Sequence, residues 1–312
     1  MTRIYVKWFG EREAWTDTTR NEFVSLLNAS KDIKIVQNET DADVIIVYNK
    51  HLTQKRQFET RLIASTYFRE NASRLLIYDE CDNPTFIFPG LYVSTDVRNV
   101  DSHVLPIPYF HSRLPIDFNI QEGNRSILCS FWGRNSHPIR NSLYGINVPR
   151  YSIIDTSPFD FFDMSESNQV SLITQRERYI SSLQSSMYSI CPRGYGSCSI
   201  RLFESLLCGC VPIIISDHYV TPKLLDWNIA SIRVSECDVS NIVTIVSDDS
   251  DSYAERAKYI KEIAVSSLLP QSVCSYIAAS MPDINTFNTF QRYIRSLTHR
   301  SLRKVSLKSI TQ

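Results

Sequence analysis

The 312-residue chain carries 33 Lys plus Arg against 33 Asp plus Glu and is 43% hydrophobic. Balanced charge leaves no bulk field to draw it to nucleic acid or an acidic membrane, and the apolar content supports one large or two modest cores. The opening MTRIYVKWFG is too short for a signal sequence or a membrane span, and no later apolar run is long enough. Cytoplasmic residence is the expectation.

Alternation of apolar strands with amphipathic helices predicts an open parallel sheet in the first half: strand Ile4 to Phe9, helix Thr18 to Asn28, strands Ile33 to Val36 and Val44 to Tyr48, helix Phe58 to Glu70, strand Leu75 to Tyr78. After the last strand, Tyr78-Asp79-Glu80-Cys81-Asp82-Asn83-Pro84 offers three carboxylates at the ligand end of the sheet. Neighbouring carboxylates raise each other's proton affinity, which suits a general base; turn capping before Pro84 is the ordinary alternative. Lys7, Trp8 and Phe9 end the first strand, where aromatic faces could stack on a sugar or simply pack.

Two prolines in Leu105-Pro-Ile-Pro-Tyr-Phe exclude a central strand and predict an extended crossing between domains. A strand over Ser126 to Trp132 then ends in Gly133-Arg134-Asn135-Ser136-His137-Pro138, a phosphate-type turn opening a helix at Ile139 to Leu143. Strand Tyr151 to Ile154, helix Gln175 to Ser185 and a final strand over Val243 to Val246 complete a second sheet.

The most specific stretch is CPRGYGSCSIRLFESLLCGCVPIIISD, Cys191 to Asp217. It reads as strand, glycine turn, helix and strand, with Ile200, Phe203, Leu206 and Leu207 on one buried helix face. A helix start favours an anion at Gly194, Gly196, Ser197 and Ser199. Arg193 and Arg201 flank that point, and Glu204 sits where it could accept from a ribose diol or merely pair with Arg201. Asp217 and His218 end the next strand and reach the same mouth. A ligand-free crossover unit needs the glycines and the helix as well, but it has no use for two arginines at a helix start.

Two Asp-x-Asp triplets, Asp41 to Asp43 and Asp249 to Asp251, read as a strand cap and a loop rather than a metal site. Eight cysteines without a CxxC pair read as reduced core thiols. The C-terminus, Arg292 to Lys308, reads as a basic amphipathic helix that packs back on the protein, with weak membrane association as the lesser alternative. Neither G-x-G-x-x-G nor G-x-x-x-x-G-K-[ST] occurs, which argues against an NAD-dependent oxidoreductase and a P-loop NTPase.

These motifs together resemble the exostosin-like glycosyltransferases, glycosyltransferase family 47. Thr40-Asp-Ala-Asp-Val-Ile-Ile-Val-Tyr, Val104 to Phe110, Ser130 to Arg140 and Cys191 to Trp227, with its Pro-Arg-Gly, Ser-x-Arg-x-x-Glu, Gly-Cys-Val-Pro and Ser-Asp, stand in family order. The chain is similar to the minimal soluble form found in bacteria and large DNA viruses.

The resemblance implies an α/β protein of the GT-B fold, with two Rossmann-like parallel-sheet domains facing across a cleft: an acceptor-side domain over 1–115, joined by a helix at about 288–308, and a nucleotide-sugar domain over 120–285. It implies inverting transfer from a UDP-sugar, with xylose, galactose or glucuronate as candidates, to a glycan hydroxyl. The alternative is a catalytically silent exostosin-like binding domain. Expected donor-binding residues are Gly133, Arg134, Arg140, Arg193, Gly194, Ser197, Ser199, Arg201, Glu204 and Asp217, with Asp79 and Glu80 as base candidates. No metal or other cofactor is expected, because arginines and helix N–H groups can stabilise a diphosphate leaving group.

Overall fold

A computed structural model describes residues 1–9, 14–49, 55–109, 125–158 and 166–284. The chain divides into two compact units, one formed by Met1–Ile107 with the chain from Cys274, the other by Pro108–Val273.

In the first unit β1 (Thr2–Trp8), β2 (Ile33–Ile35), β3 (Val44–Asn49), β4 (Leu75–Asp79), β5 (Gly90–Tyr92) and β6 (Val104–Pro106) form one all-parallel sheet in the order β2-β1-β3-β4-β5-β6. Ile45 to Tyr48 of β3 and all five residues of β4 are buried, as a sheet covered on both faces requires. Phe23 of α1 (Ala14–Leu27) stacks on Tyr78 at 4.3 Å between ring centroids, and Tyr78 on Tyr48 at 5.0 Å.

The expected helix over Phe58 to Glu70 is two, α2 (Lys55–Ala64) and α3 (Thr66–Asn71), because Ser65 turns extended and its hydroxyl caps Phe68 N–H. β5 escaped the sequence reading: a Cβ on Gly90 would lie 2.3 Å from the Ile77 carbonyl oxygen, so the strand depends on an absent side chain. The proline segment expected to be only a crossing begins as β6. Pro106 is tolerated because β6 is an edge strand and Pro106 its last residue.

In the second unit β7 (Ile127–Gly133), β8 (Tyr151–Asp155), β9 (Ser186–Pro192), β10 (Val211–Ile215) and β11 (Ile232–Val234) form a parallel sheet in the order β11-β10-β9-β7-β8. Helices α4 (Asn141–Tyr144), α5 (Glu166–Ser185), α6 (Ile200–Leu207), α7 (Trp227–Ala230), α8 (Ile242–Asp248), α9 (Tyr253–Tyr259) and α10 (Val265–Ser267) accompany it.

The final strand expected at Val243 to Val246 is instead within α8. Only Ile242 and Val246 there are buried, the i, i+4 spacing of a helix face, and the last strand among the described residues is β11. Finally α11 (Pro270–Ala279) carries the chain back: Cys274 Sγ donates to Leu26 O and Tyr276 Oη to Pro106 O, both in the first unit. The second unit therefore closes at Val273, short of 285. The helix expected at 288–308 lies outside the described residues.

Candidate functional site

Counted within each unit, both sheets begin with the strand order 2-1-3-4-5. Sheets of this kind take ligands outside the carboxyl ends of the strands at the point where the order reverses. In the second unit that point lies between β7 and β9. Two turns leave the sheet there, residues 133–140 and 193–199, and they hold most of the expected donor-binding residues.

Arg140 joins the turns. Its Nε donates to Arg193 O at 2.9 Å, one terminal nitrogen to Arg134 O at 2.8 Å and the other to Pro192 O at 3.0 Å, and the side chain is buried. All three nitrogens are engaged with carbonyl oxygens, so Arg140 clamps the two turns together. Gly194 fits against it: a Cβ there would stand 3.3 Å from both the Arg140 guanidinium and Ser136 Oγ. Arg134 contributes its carbonyl, and its side chain is exposed.

Arg201 is different. It sits in the first turn of α6, only 8% exposed, with its guanidinium 4.8 Å from the Phe131 ring centroid and 5.9 Å from that of Tyr179. One terminal nitrogen donates to Trp132 O, and Nε is buried without a partner. Gly133 makes room, since a Cβ there would come within 2.7 Å of that terminal nitrogen. No ion pair among the described residues involves Arg201, and the helical Arg201–Glu204 pair is not formed. A buried guanidinium without a carboxylate is costly unless an anion joins it.

Arg193 follows β9. Its terminal nitrogen lies 3.6 Å from Glu236 Oε1, and its Nε is also buried without a partner. Ser216 Oγ, at the end of β10, is a third buried and unpartnered polar atom in this region. Ser199 holds the N-cap of α6 with extended backbone while its hydroxyl makes no cap bond, leaving an acceptor position that a ligand oxygen can take. Ser197 is buried in the same turn. His137 accepts from Ile139 N–H through Nδ1; burial, then the Arg193 charge, hold its pKa below the usual histidine value.

Two further expected donor contacts are engaged by protein groups. Glu204 is 1% exposed and accepts from Tyr179 Oη at 2.6 Å, an interior pair; burial, reinforced by the Glu204 charge, pushes the Tyr179 phenol well up. It does not present a carboxylate for a ribose in this structure. Asp217 is tied to the loop after β11, its Oδ1 accepting from Glu236 N–H at 2.9 Å and Ser235 Oγ at 3.1 Å. Glu236, which no sequence motif marked, thereby joins Asp217 to Arg193.

In the first unit Asp79 and Glu80 end β4. Asp79 is 1% exposed and its Oδ1 accepts from Cys81 N–H at 2.7 Å; Glu80 is 8% exposed and accepts from Tyr78 Oη. The turn-capping role is thus realised at Asp79. Lys7 bonds Glu39 at 3.0 Å and stands 3.8 Å over the Tyr67 ring, and Phe9 packs edge-on to Phe58 at 6.0 Å. Of the Asp-x-Asp acids, Asp43 pairs with Arg3, which lowers its carboxyl to about 2, and Asp249 with Arg256 and the Tyr188 hydroxyl. No group of three or more His, Cys, Asp or Glu able to hold a metal occurs among the described residues, and no described helix is long and apolar enough to cross a membrane. Seven cysteines are buried and Cys237 is exposed, all free; burial pushes the Cys191 thiol up to about 11.

The Exostosin GT47 domain matches residues 63–248. An exostosin-1 homolog of Caenorhabditis elegans is 36% identical over 91 residues, 28% of this chain and 23% of that protein. A probable beta-1,4-xylosyltransferase of Arabidopsis thaliana is 34% identical over 70 residues, 22% of this chain and 17% of that protein. These matches span a quarter or less of the relatives' length. The crystal structure of Anabaena HepE in complex with UDP aligns over 96% of this chain and all of that one at 10% identity and a TM-score of 0.31, too distant to carry an argument. With the domain match running over more than half of the sequence, from α2 through the Arg193–Arg201 turn to the end of α8, the chain belongs to the exostosin GT47 glycosyltransferase family.

Proposed function

We propose that the protein transfers a sugar from a UDP-sugar to a hydroxyl of a glycan acceptor, with inversion and without a metal. The observation that carries this reading is the pair Arg193 and Arg201 beside the start of α6, each with a buried Nε lacking a partner and Arg201 lacking any carboxylate among the described residues. A diphosphate supplies the missing charge, and its oxygens complete both arginines and the N-cap acceptor position at Ser199. As the bond to the sugar breaks, charge grows on the departing diphosphate, and preorganised donors stabilise it there. Arginines and helix N–H groups do this without a cation. Two doubly wound units in one chain are what a GT-B transferase is built from. Xylose, galactose and glucuronate are the donor candidates.

The transfer needs a base for the acceptor proton. Asp79 and Glu80 stand at a strand end of the first unit, but they are buried and hydrogen-bonded. That burial favours the second reading, a catalytically silent domain that binds the nucleotide sugar without turning it over. Incubation with UDP-xylose, UDP-galactose and UDP-glucuronate, with oligosaccharide acceptors in excess EDTA, separates the two. Release of UDP with acceptor elongation supports transfer, binding without release supports the silent domain, and binding of none contradicts both.

A further inference from the structure

Glu236 stands at the mouth of the proposed cradle although nothing in the sequence pattern marks it. It follows β11, as Arg193 follows β9, and β10 lies between these two strands. Its backbone N–H donates to Asp217 Oδ1 at 2.9 Å, and its Oε1 accepts from Asp217 N–H at 3.2 Å. This reciprocal clasp fixes the carboxylate to the ends of two neighbouring strands.

The same Oε1 is 3.6 Å from the Arg193 guanidinium, whereas charge-assisted bonds of this kind close to about 2.7–2.9 Å. Both side chains are partly exposed, at 21% for Arg193 and 24% for Glu236, so the pair is weak and open to displacement. The Arg193 guanidinium is therefore kept at the site by one loose ion pair while its Nε stays without a partner. Asp217 and Glu236 also set two negative charges beside the place an anion would occupy.

From this arrangement we propose that Glu236 is a positioning residue that holds Arg193 at the cradle before the nucleotide binds, competes with the diphosphate for it, and draws it back when UDP leaves. The proposal rests on the donor reading above. Glu236→Gln keeps an oxygen for Asp217 N–H and removes the charge, so the competitor is lost while the clasp remains.

The test is calorimetric titration with UDP of the wild type, Glu236→Gln, Arg193→Gln and the double variant, with a melting curve for each. The expected result is a UDP Kd lowered about threefold or more by Glu236→Gln in the wild type, and by less than about 1.5-fold when Arg193 is already Gln. The KM for the donor falls with Kd, whereas kcat does not rise. Glu236→Asp, which keeps the charge but withdraws it by one methylene, is expected to fall between wild type and Gln and carries the test if Gln does not fold. An unchanged or raised Kd in Glu236→Gln, in a protein where Arg193→Gln does weaken UDP, overturns the role of Glu236 and leaves the donor site standing. No UDP binding by the wild type overturns the donor reading and this inference with it.

Discussion

Replacing Arg201 with Met separates a binding arginine from a structural one. Met keeps the apolar stem beneath Phe131 and removes the charge. What is lost for stability is one charge-assisted bond to Trp132 O, about 1.5–3 kcal/mol, and a cation–π contact of up to about 2 kcal/mol. What is relieved is the unpartnered buried Nε, about 1–3 kcal/mol, and the several kcal/mol of desolvating a charge that no carboxylate meets. The losses reach about 5 kcal/mol at most and the reliefs are of the same size or larger, so urea unfolding is expected to show a variant no more than about 1 kcal/mol less stable than the wild type. UDP binding has no such compensation. Loss of a charge-assisted phosphate contact of about 1.5–3 kcal/mol raises Kd about 10- to 100-fold. Calorimetry on the variant beside its unfolding curve reads both. A stability loss above about 3 kcal/mol with UDP affinity within about twofold of wild type would refute the reasoning and make Arg201 a structural staple.

Gly133→Ala adds one methyl 2.7 Å from the Arg201 guanidinium and 2.9 Å from the Phe131 ring, so it should displace both, cost about 1–3 kcal/mol of stability and weaken UDP binding; unaltered UDP affinity would contradict this placement. His137 titrates below its ordinary value, chiefly through burial and then the Arg193 charge, so the unfolded chain binds protons more readily. Stability from this residue is present above the unfolded histidine pKa of about 6.5 and lost as pH falls below it. Urea curves from about pH 7.5 to about 5.5 should show His137→Gln losing less stability than the wild type; parallel losses would contradict the assignment.

The strand, turn, helix and strand over 186–215 were legible because their signals are local. Ile200, Phe203, Leu206 and Leu207 mark a helix face, Gly194 and Gly196 mark the turn before it, and the apolar run Val211 to Ile215 follows as a buried strand with Pro212 near its start. Short strands were not legible: β11 is three residues with Arg233 exposed between two buried neighbours, while the apolar run Ile242 to Val246 suits strand and helix equally well until its buried positions are seen. The roles of the charged side chains depend on contacts distant in sequence. Arg140 and Arg201 look alike as residues near glycine turns, yet one wraps three carbonyl groups and the other lies under two aromatic rings. Glu204 is drawn inward by Tyr179, which precedes it by 25 residues. Glu236 would have needed β11 to be assigned first.

The most direct test of the account is the affinity of the purified protein for UDP in excess EDTA, read by calorimetry and by the rise in melting temperature that a ligand of the folded state produces. The account predicts saturable binding without metal, weakened in Arg201→Met, with a further rise for one UDP-sugar. Binding that disappears in EDTA and returns with manganese would contradict metal independence, and no binding of UDP under either condition would contradict the nucleotide cradle itself.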